Sequence, residues 1–153
     1  MIQTADLVAA AGLGAAVNFP WEMAHSFLYR GGPELSSGQH LLYCGLAALA
    51  DGAGIAAIFA LGAAVFRDSH WPQRRSAARL GAAALMGVGG AVLTEWLALR
   101  LGWWSYGPAM PRVPGTDLGV SPLVQFVMLP IAVLFWALPR WWRSDVHHRK
   151  PDS

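Results

Sequence analysis

The chain has 153 residues, enough for one domain and too few for two ordinary ones. Hydrophobic residues make up 55% of it and charged residues only 13%, whereas soluble domains carry about 25% charged residues. This composition is typical of a membrane protein, and it excludes a soluble globular enzyme, a disordered tail and a disulfide scaffold. The net charge of +2 does not indicate a nucleic-acid partner, because the basic residues lie in the connections where membrane topology requires them.

Four apolar stretches are long enough to cross a bilayer core about 30 Å thick as helices. They lie at about 5–28, 41–66, 80–101 and 123–138. None shows the two-residue alternation of a membrane β-strand. The sequence therefore predicts an all-α polytopic membrane protein. A bundle of four transmembrane helices would occupy residues 1–140, followed by a basic cytoplasmic tail at 141–153.

The distribution of basic residues predicts the orientation of this bundle. Connection 67–79 and the stretch from Arg140 to the end of the tail hold four Lys or Arg residues each, whereas the other two connections hold one each, Arg30 and Arg112. Positive charge marks the cytoplasmic side, so we expect both termini in the cytoplasm of a bacterial inner membrane. No Lys or Arg precedes the first apolar stretch, so we expect that helix to be retained rather than cleaved as a signal peptide.

Three carboxyl residues lie within the predicted spans: Glu22, Asp51 and Glu95. Charged groups inside a membrane are costly and usually face protein or water, where they are candidates for function. Each of the three continues a row of small residues at helical spacing, and such rows mark close helix contacts. We therefore predict that the three carboxyl groups face the interior of the bundle, and we take them as the candidate catalytic residues.

The other polar residues of the spans fall at the same level of the predicted bundle. Together they predict a polar cavity that opens outward beneath the long Trp- and Pro-rich loop 102–122, which has the length of a lid or binding loop. The residues we expect to bind a substrate there are Asn18, Trp21, His25, Trp96, Trp104, Tyr106 and Gln125. Each also has a structural interpretation, as a hydrogen-bond partner between helices or an aromatic anchor at the interface.

The pair Glu22-x-x-His25 has the spacing of one half of a carboxylate-bridged di-iron site. Such a site needs a second pair and two further Glu residues, and only His40 and Glu95 are available as additional ligands besides Asp51. We predict neither a metal nor another cofactor. Motifs of serine hydrolases, P-loop proteins and zinc proteases are missing from the sequence.

Two segments resemble an uncharacterised group of small bacterial four-span integral membrane proteins. The first is Asn18-Phe19-Pro20-Trp21-Glu22. The second extends over residues 94–126 and includes Glu95-Trp96, Trp104-Ser105-Tyr106, Met110-Pro111 and Ser121-Pro122 before Gln125. The chain departs from the group's pattern at His25, where the group has Gln, and at Phe126, where it has Trp. The resemblance implies that Glu22, Asp51, Glu95, Tyr106 and Gln125 form one constellation, and it implies no activity.

Three functions are consistent with these residues. The first is an enzyme that performs acid–base isomerisation, cyclisation or hydration on a lipophilic substrate, with Glu22 and Glu95 as acid and base and Asp51 orienting them. The second is a non-enzymatic subunit or assembly factor of a larger membrane complex. The third, less favoured, is a proton- or cation-coupled carrier. The partners we expect are membrane lipids and a lipophilic small molecule, within a homo-oligomer or larger complex.

Overall fold

The computed structural model describes residues 2–31 and 34–148, with side chains as far as Arg143. These described residues form helices and no strand, which confirms the all-α prediction. Short 3₁₀ turns follow the first two helices, at Ser26–Leu28 and Trp71–Gln73. The helices are α1 Thr4–His25, α2 Ser37–Phe66, α3 Ala77–Leu101, α4 Val120–Ala132 and α5 Leu138–His148.

Three helices of the described chain are long and apolar enough to cross a membrane. They are α2, α3 and the continuous helix Val120–Arg143, which joins α4 to α5 through a π-helical turn at Val133–Ala137. Pro139 lacks the N–H that would continue a regular α-helical ladder, which accounts for a wider turn at this point. Helix α1 has 22 residues but carries Asp6, Asn18 and Glu22, and it is not among the three.

Capping residues place the starts of α2 and α3 earlier than the apolar runs predict. Helix α2 begins at Ser37 rather than 41, because the Ser36 hydroxyl accepts from the Gln39 N–H and the Gln39 side chain accepts from the Ser36 N–H. Helix α3 begins at Ala77 rather than 80, where the Ser76 hydroxyl accepts from the Arg79 N–H. A run of apolar residues marks only the apolar part of a helix, so it does not include a polar first turn.

The boundaries of α4 and α1 also differ from the predicted ones, and both helices contain a proline. Helix α4 begins at Val120 rather than 123, since Pro122 lies in the first turn, where its missing N–H is not needed. The long connection therefore ends at Gly119. Helix α1 continues through Pro20 and ends at His25 rather than 28.

Helix α5 extends beyond the last predicted span into the predicted tail, as far as His148. Trp142 in this extension is buried, and its ring N–H donates to Asp6 at 2.8 Å. The rest of the predicted tail, with Arg149 and Lys150, lies outside the described residues, as do Gly32 and Pro33 of the first connection.

Glycines bring the helices into close contact halfway along the bundle. A Cβ on Gly14 of α1 would lie 2.9 Å from the Cα of Gly52 of α2, and a Cβ on Gly87 of α3 would overlap the carbonyl oxygen of Phe126 of α4. The predicted row Ala83, Gly87, Ala91 and Glu95 is buried throughout. Small residues therefore let these helices approach backbone to backbone, as they do in membrane proteins.

One end of the bundle, which we call the anchored end, is closed by large side chains around Trp71. Its ring is fully buried against Phe59, Phe66 and Phe135, and its N–H donates to the Phe59 carbonyl at 3.0 Å. The Arg79 guanidinium then donates to the Trp71 carbonyl at 2.7 Å. Each buried polar atom of Trp71 therefore has a local partner.

Candidate functional site

The opposite end of the bundle, which we call the cavity end, contains a cavity of about 540 Å³. Glu22 at the end of α1, Asp51 in the middle of α2 and Glu95 late in α3 all line it. The three carboxyl residues singled out by the sequence therefore face one space. Most of the remaining wall is aromatic or apolar: Tyr29, Tyr43, Ala47, Ala91, Trp103, Trp104, Pro122 and Phe126.

Gln125 of α4 connects the polar residues of α1 and α2. Its side-chain nitrogen lies 2.8 Å from the Asn18 Oδ1 atom, 2.6 Å from the Glu22 Oε1 atom and 2.8 Å from the Asp51 Oδ2 atom. Asn18 donates in turn to the carbonyl of Gly14, at 2.8 Å within its own helix. We call Asn18, Glu22, Asp51 and Gln125 the amide cluster.

The amide cluster has more acceptors than donors. A glutamine NH₂ carries two hydrogens, so it cannot donate fully to three oxygens at once. Two of those oxygens belong to carboxyl groups, which can supply the missing hydrogen when one of them is protonated. The cluster is therefore suited to hold a proton that it can release or take up, as a general acid or base must.

His25 lies behind Glu22 and contacts a second residue of α4. Its Nε2 atom is 3.1 Å from the Glu22 Oε2 atom, and its Nδ1 atom is 2.8 Å from the Ser121 hydroxyl. The ring also packs edge-on against Tyr29 and Trp21. Both ring nitrogens of His25 thus have partners, and its orientation is fixed from α1 and α4 together.

Glu95 lines the same cavity as Glu22 and Asp51 and has its own donors. The Tyr106 hydroxyl and, at 3.4 Å, the Trp104 ring N–H both donate to its Oε2 atom. Tyr106 also accepts from the Gly119 N–H at 3.0 Å. Burial and the contact with Glu95 raise the pKa of the Tyr106 phenol, so it stays protonated at neutral pH and remains a donor.

The loop 102–119 is fixed to the chain just after α1. The Arg30 N–H donates to the Ser105 carbonyl at 2.9 Å, and the Gly107 N–H donates to the Leu28 carbonyl at 2.7 Å. The Arg30 side chain adds a bond to the Tyr106 carbonyl at 3.2 Å. These contacts place Trp103, Trp104 and Tyr106 beside the cavity. A loop in this position can cover the cavity or contact a molecule bound in it.

The predicted site residues therefore fall into three groups. The carboxyl residues and Trp104 line the cavity, whereas His25, Tyr106 and Gln125 are hydrogen-bonded to lining residues, and Asn18 accepts from Gln125. Trp21 packs on His25, and its ring N–H is buried without a hydrogen-bond partner among the described residues. Trp96 is not brought to the site: its side chain is 51% exposed on the outside of α3, under the Arg100 guanidinium.

The metal interpretation gains no support from the geometry. The described residues contain no group of three His, Cys, Asp or Glu side chains arranged to hold a metal ion. His40 lines the cavity, but its Nε2 atom lies 2.6 Å from the Ser26 hydroxyl rather than beside a carboxylate. Glu22 and His25 contact each other, as their spacing predicts, without a third ligand of that kind.

Sequence reasoning missed several residues of the site. Ser121 and Arg30 lie in the predicted connections and Ser26 in the first predicted span, and none of them has a predicted role. Ser121 contacts His25, Ser26 contacts His40, and Arg30 contacts the loop. The Ser-Pro pair at 121–122 was a usable signal, because it is typical of the first turn of a helix, where a serine side chain faces neighbouring elements.

No family model matches the chain, and neither the curated proteins nor the solved structures contain a significant match to it. The candidate site is therefore argued from its own geometry.

Proposed function

We propose that the chain is a small multi-pass protein of the bacterial inner membrane whose cavity performs acid–base chemistry on a lipophilic substrate. The observation that carries this proposal is that Glu22, Asp51 and Glu95 line a single cavity with largely aromatic walls. Its volume of about 540 Å³ lies within the range of small-molecule sites, about 300–1,000 Å³. The same constellation supports grouping the chain with the bacterial four-span proteins that its motifs resemble.

The proposal includes α1 as a fourth span, with both termini in the cytoplasm. Support comes from the close contact of Gly14 with Gly52, which lays α1 along a helix that is itself apolar enough to cross a membrane. The four arginines of segment 67–79 mark the anchored end as cytoplasmic, so the cavity opens on the outer side. Single cysteines in a Cys44→Ala background test this: Asp117→Cys should react with an impermeant maleimide added outside, and Ser69→Cys should not.

The chemistry follows from two carboxyl groups on different helices that line one cavity and have separate hydrogen-bond partners. Glu22 exchanges a proton with one atom of a bound molecule and Glu95 with another, as isomerisation, cyclisation or hydration of a double bond requires. Asp51 and Gln125 hold Glu22 in place. The Trp104 ring faces the cavity and would stabilise positive charge that develops on carbon.

Native mass spectrometry of gently purified protein, with analysis of extracted lipids, tests the proposal. We expect a lipophilic molecule that is retained by the wild type and lost from Glu22→Gln and Glu95→Gln. Asp117→Asn is the matched control, because its side chain is 91% exposed in the loop and it should retain the molecule. Equal retention by all four proteins, or by none, contradicts the proposal.

A second candidate is a non-enzymatic subunit of a larger membrane complex. The observation that favours it is a shallow apolar groove on the outer face of α1 and α2, lined by Ala15, Ala16, Gly45 and neighbouring leucines. Small residues that face outward suit a helix of another protein. A chain that is recovered only with other subunits, and carries no lipophilic molecule, would favour this function. A carrier is less supported, because Trp71, Phe59 and Phe135 fill the anchored end.

A further inference from the structure

We infer that His25 and Ser121 form a proton relay that connects Glu22 to water along a route separate from the cavity. This inference deepens the proposed function, since it concerns how the proposed acid–base residue regains its proton. The relay itself rests on two measured contacts, Glu22 Oε2 to His25 Nε2 at 3.1 Å and His25 Nδ1 to Ser121 Oγ at 2.8 Å.

The position of the two residues carries the argument. Glu22 lines the cavity, but neither His25 nor Ser121 does. A lipophilic molecule that fills the cavity displaces water from that side of Glu22. His25 is buried, whereas Ser121 is partly exposed in the first turn of α4. The route through the imidazole to the end of α4 therefore stays in place when the cavity is occupied.

The groups that face the relay allow the transfer. The side-chain nitrogen of Gln125 contacts the Glu22 Oε1 atom and also the Asp51 carboxyl group. The Glu22 Oε2 atom is therefore available to contact His25. On the other side, the rings of Trp21 and Tyr29 pack against the imidazole, and the Glu95 carboxyl group of α3 lies within electrostatic range of it.

The transfer moves one proton and no electrons. The Nε2–H of His25 donates its proton to the Glu22 carboxylate while Nδ1 takes a proton from the Ser121 hydroxyl, and water returns a proton to Ser121. Imidazole suits this role because one nitrogen can release a proton while the other accepts one. The reverse sequence carries a proton from Glu22 to water and restores the first tautomer.

The chain supplies a matched control in a second serine–histidine pair. The Ser69 hydroxyl lies 3.3 Å from the His70 Nδ1 atom in the exposed connection between α2 and α3. This pair has the same side-chain chemistry as the relay but lies at the anchored end and does not line the cavity.

The test is the rate at which the infrared band of Glu22 responds to a pH jump, in lipid nanodiscs saturated with n-dodecane to fill the cavity. The band is assigned by its loss in Glu22→Gln. We expect His25→Gln and Ser121→Ala each to slow the response about tenfold or more, the factor that corresponds to one lost hydrogen bond to a charged group. The matched changes His70→Gln and Ser69→Ala should leave the rate within about twofold, as they remove no contact on the route.

Three results would overturn the relay. One is an unchanged rate in both His25→Gln and Ser121→Ala, and another is a Glu22 band that does not respond to pH at all. The third is covalent labelling of Ser121 by a fluorophosphonate, which would assign the serine as a nucleophile instead. The infrared measurement needs no natural substrate. It can therefore support the relay even if no lipophilic molecule co-purifies, so the relay and the proposed function can fail independently.

Discussion

The two ends of the bundle treat buried carboxyl groups in opposite ways. At the anchored end, Asp6 accepts from the Trp142 ring N–H at 2.8 Å and from the Gln3 N–H at 3.3 Å, one donor for each oxygen. At the cavity end, Glu22 and Asp51 share one amide nitrogen with Asn18. A carboxyl group whose oxygens are matched by donors and surrounded by large side chains stabilises the fold. A carboxyl group that shares its amide donor with other acceptors and faces a cavity is arranged to act on something else.

The largest effect should come from removing the central ring of the anchored end. Trp71→Ala should lower the free energy of unfolding by about 3–5 kcal/mol, because the ring is fully buried and leaves a void. Trp103→Ala at the cavity end, where the side chain is 63% exposed, should change it by about 0.5 kcal/mol or less. Reversible unfolding in mixed micelles measures both. Equal losses would mean that the two ends are packed alike.

The glycine beneath the cavity offers a second comparison. Gly87→Ala should cost about 1–3 kcal/mol of unfolding free energy, because the added Cβ meets the Phe126 carbonyl and separates α3 from α4. It should also weaken retention of a molecule in the cavity, since Phe126 is part of the wall. Gly90→Ala is the control on the same helix, with open space around its Cβ, and should be neutral or stabilising. A Gly90→Ala variant that loses as much stability as Gly87→Ala would contradict the helix contact.

Replacing one carboxyl group with an amide at each end of the bundle compares the two ends directly. Asp6→Asn should lower the free energy of unfolding by about 1 kcal/mol, since an amide offers one acceptor oxygen where two donors are present. Asp51→Asn should leave stability unchanged or raise it, because it removes a carboxyl group from a cluster that is short of donors. The same unfolding measurement serves for both. A larger loss for Asp51→Asn than for Asp6→Asn would show that the cavity end is built for stability.

The smallest effect concerns pH at the anchored end. The hydrogen bond from Arg79 lowers the pKa of Asp68 in the folded protein. A carboxyl group with a lowered folded-state pKa stabilises the fold fully above its unfolded pKa of about 3.9, and this stabilisation is lost as the pH falls below it. The melting temperature should therefore fall on acidification through about pH 4, and less so in Asp68→Asn. The exposed Asp117→Asn change should keep the wild-type profile.

The sequence was sufficient to predict the helical class, the small-residue faces and the convergence of Glu22, Asp51 and Glu95, because these depend on spacing within single helices. It was insufficient for helix ends, which depend on capping by residues such as Ser36 and Ser76 outside the apolar runs. It also misplaced Trp96, since the neighbour of an inward residue on a helix turns by about 100° and here faces outward. Contacts between distant elements, such as His25 with Ser121, need the packing of α1 against α4 and have no local signature.

The most direct test of the account is a structure of the purified protein crystallised from a lipidic mesophase. We expect an elongated organic molecule in the cavity, in contact with Glu22 or Glu95 and with the Trp104 ring. A cavity that holds only water, or that closes so that Glu95 contacts the amide cluster directly, would contradict it.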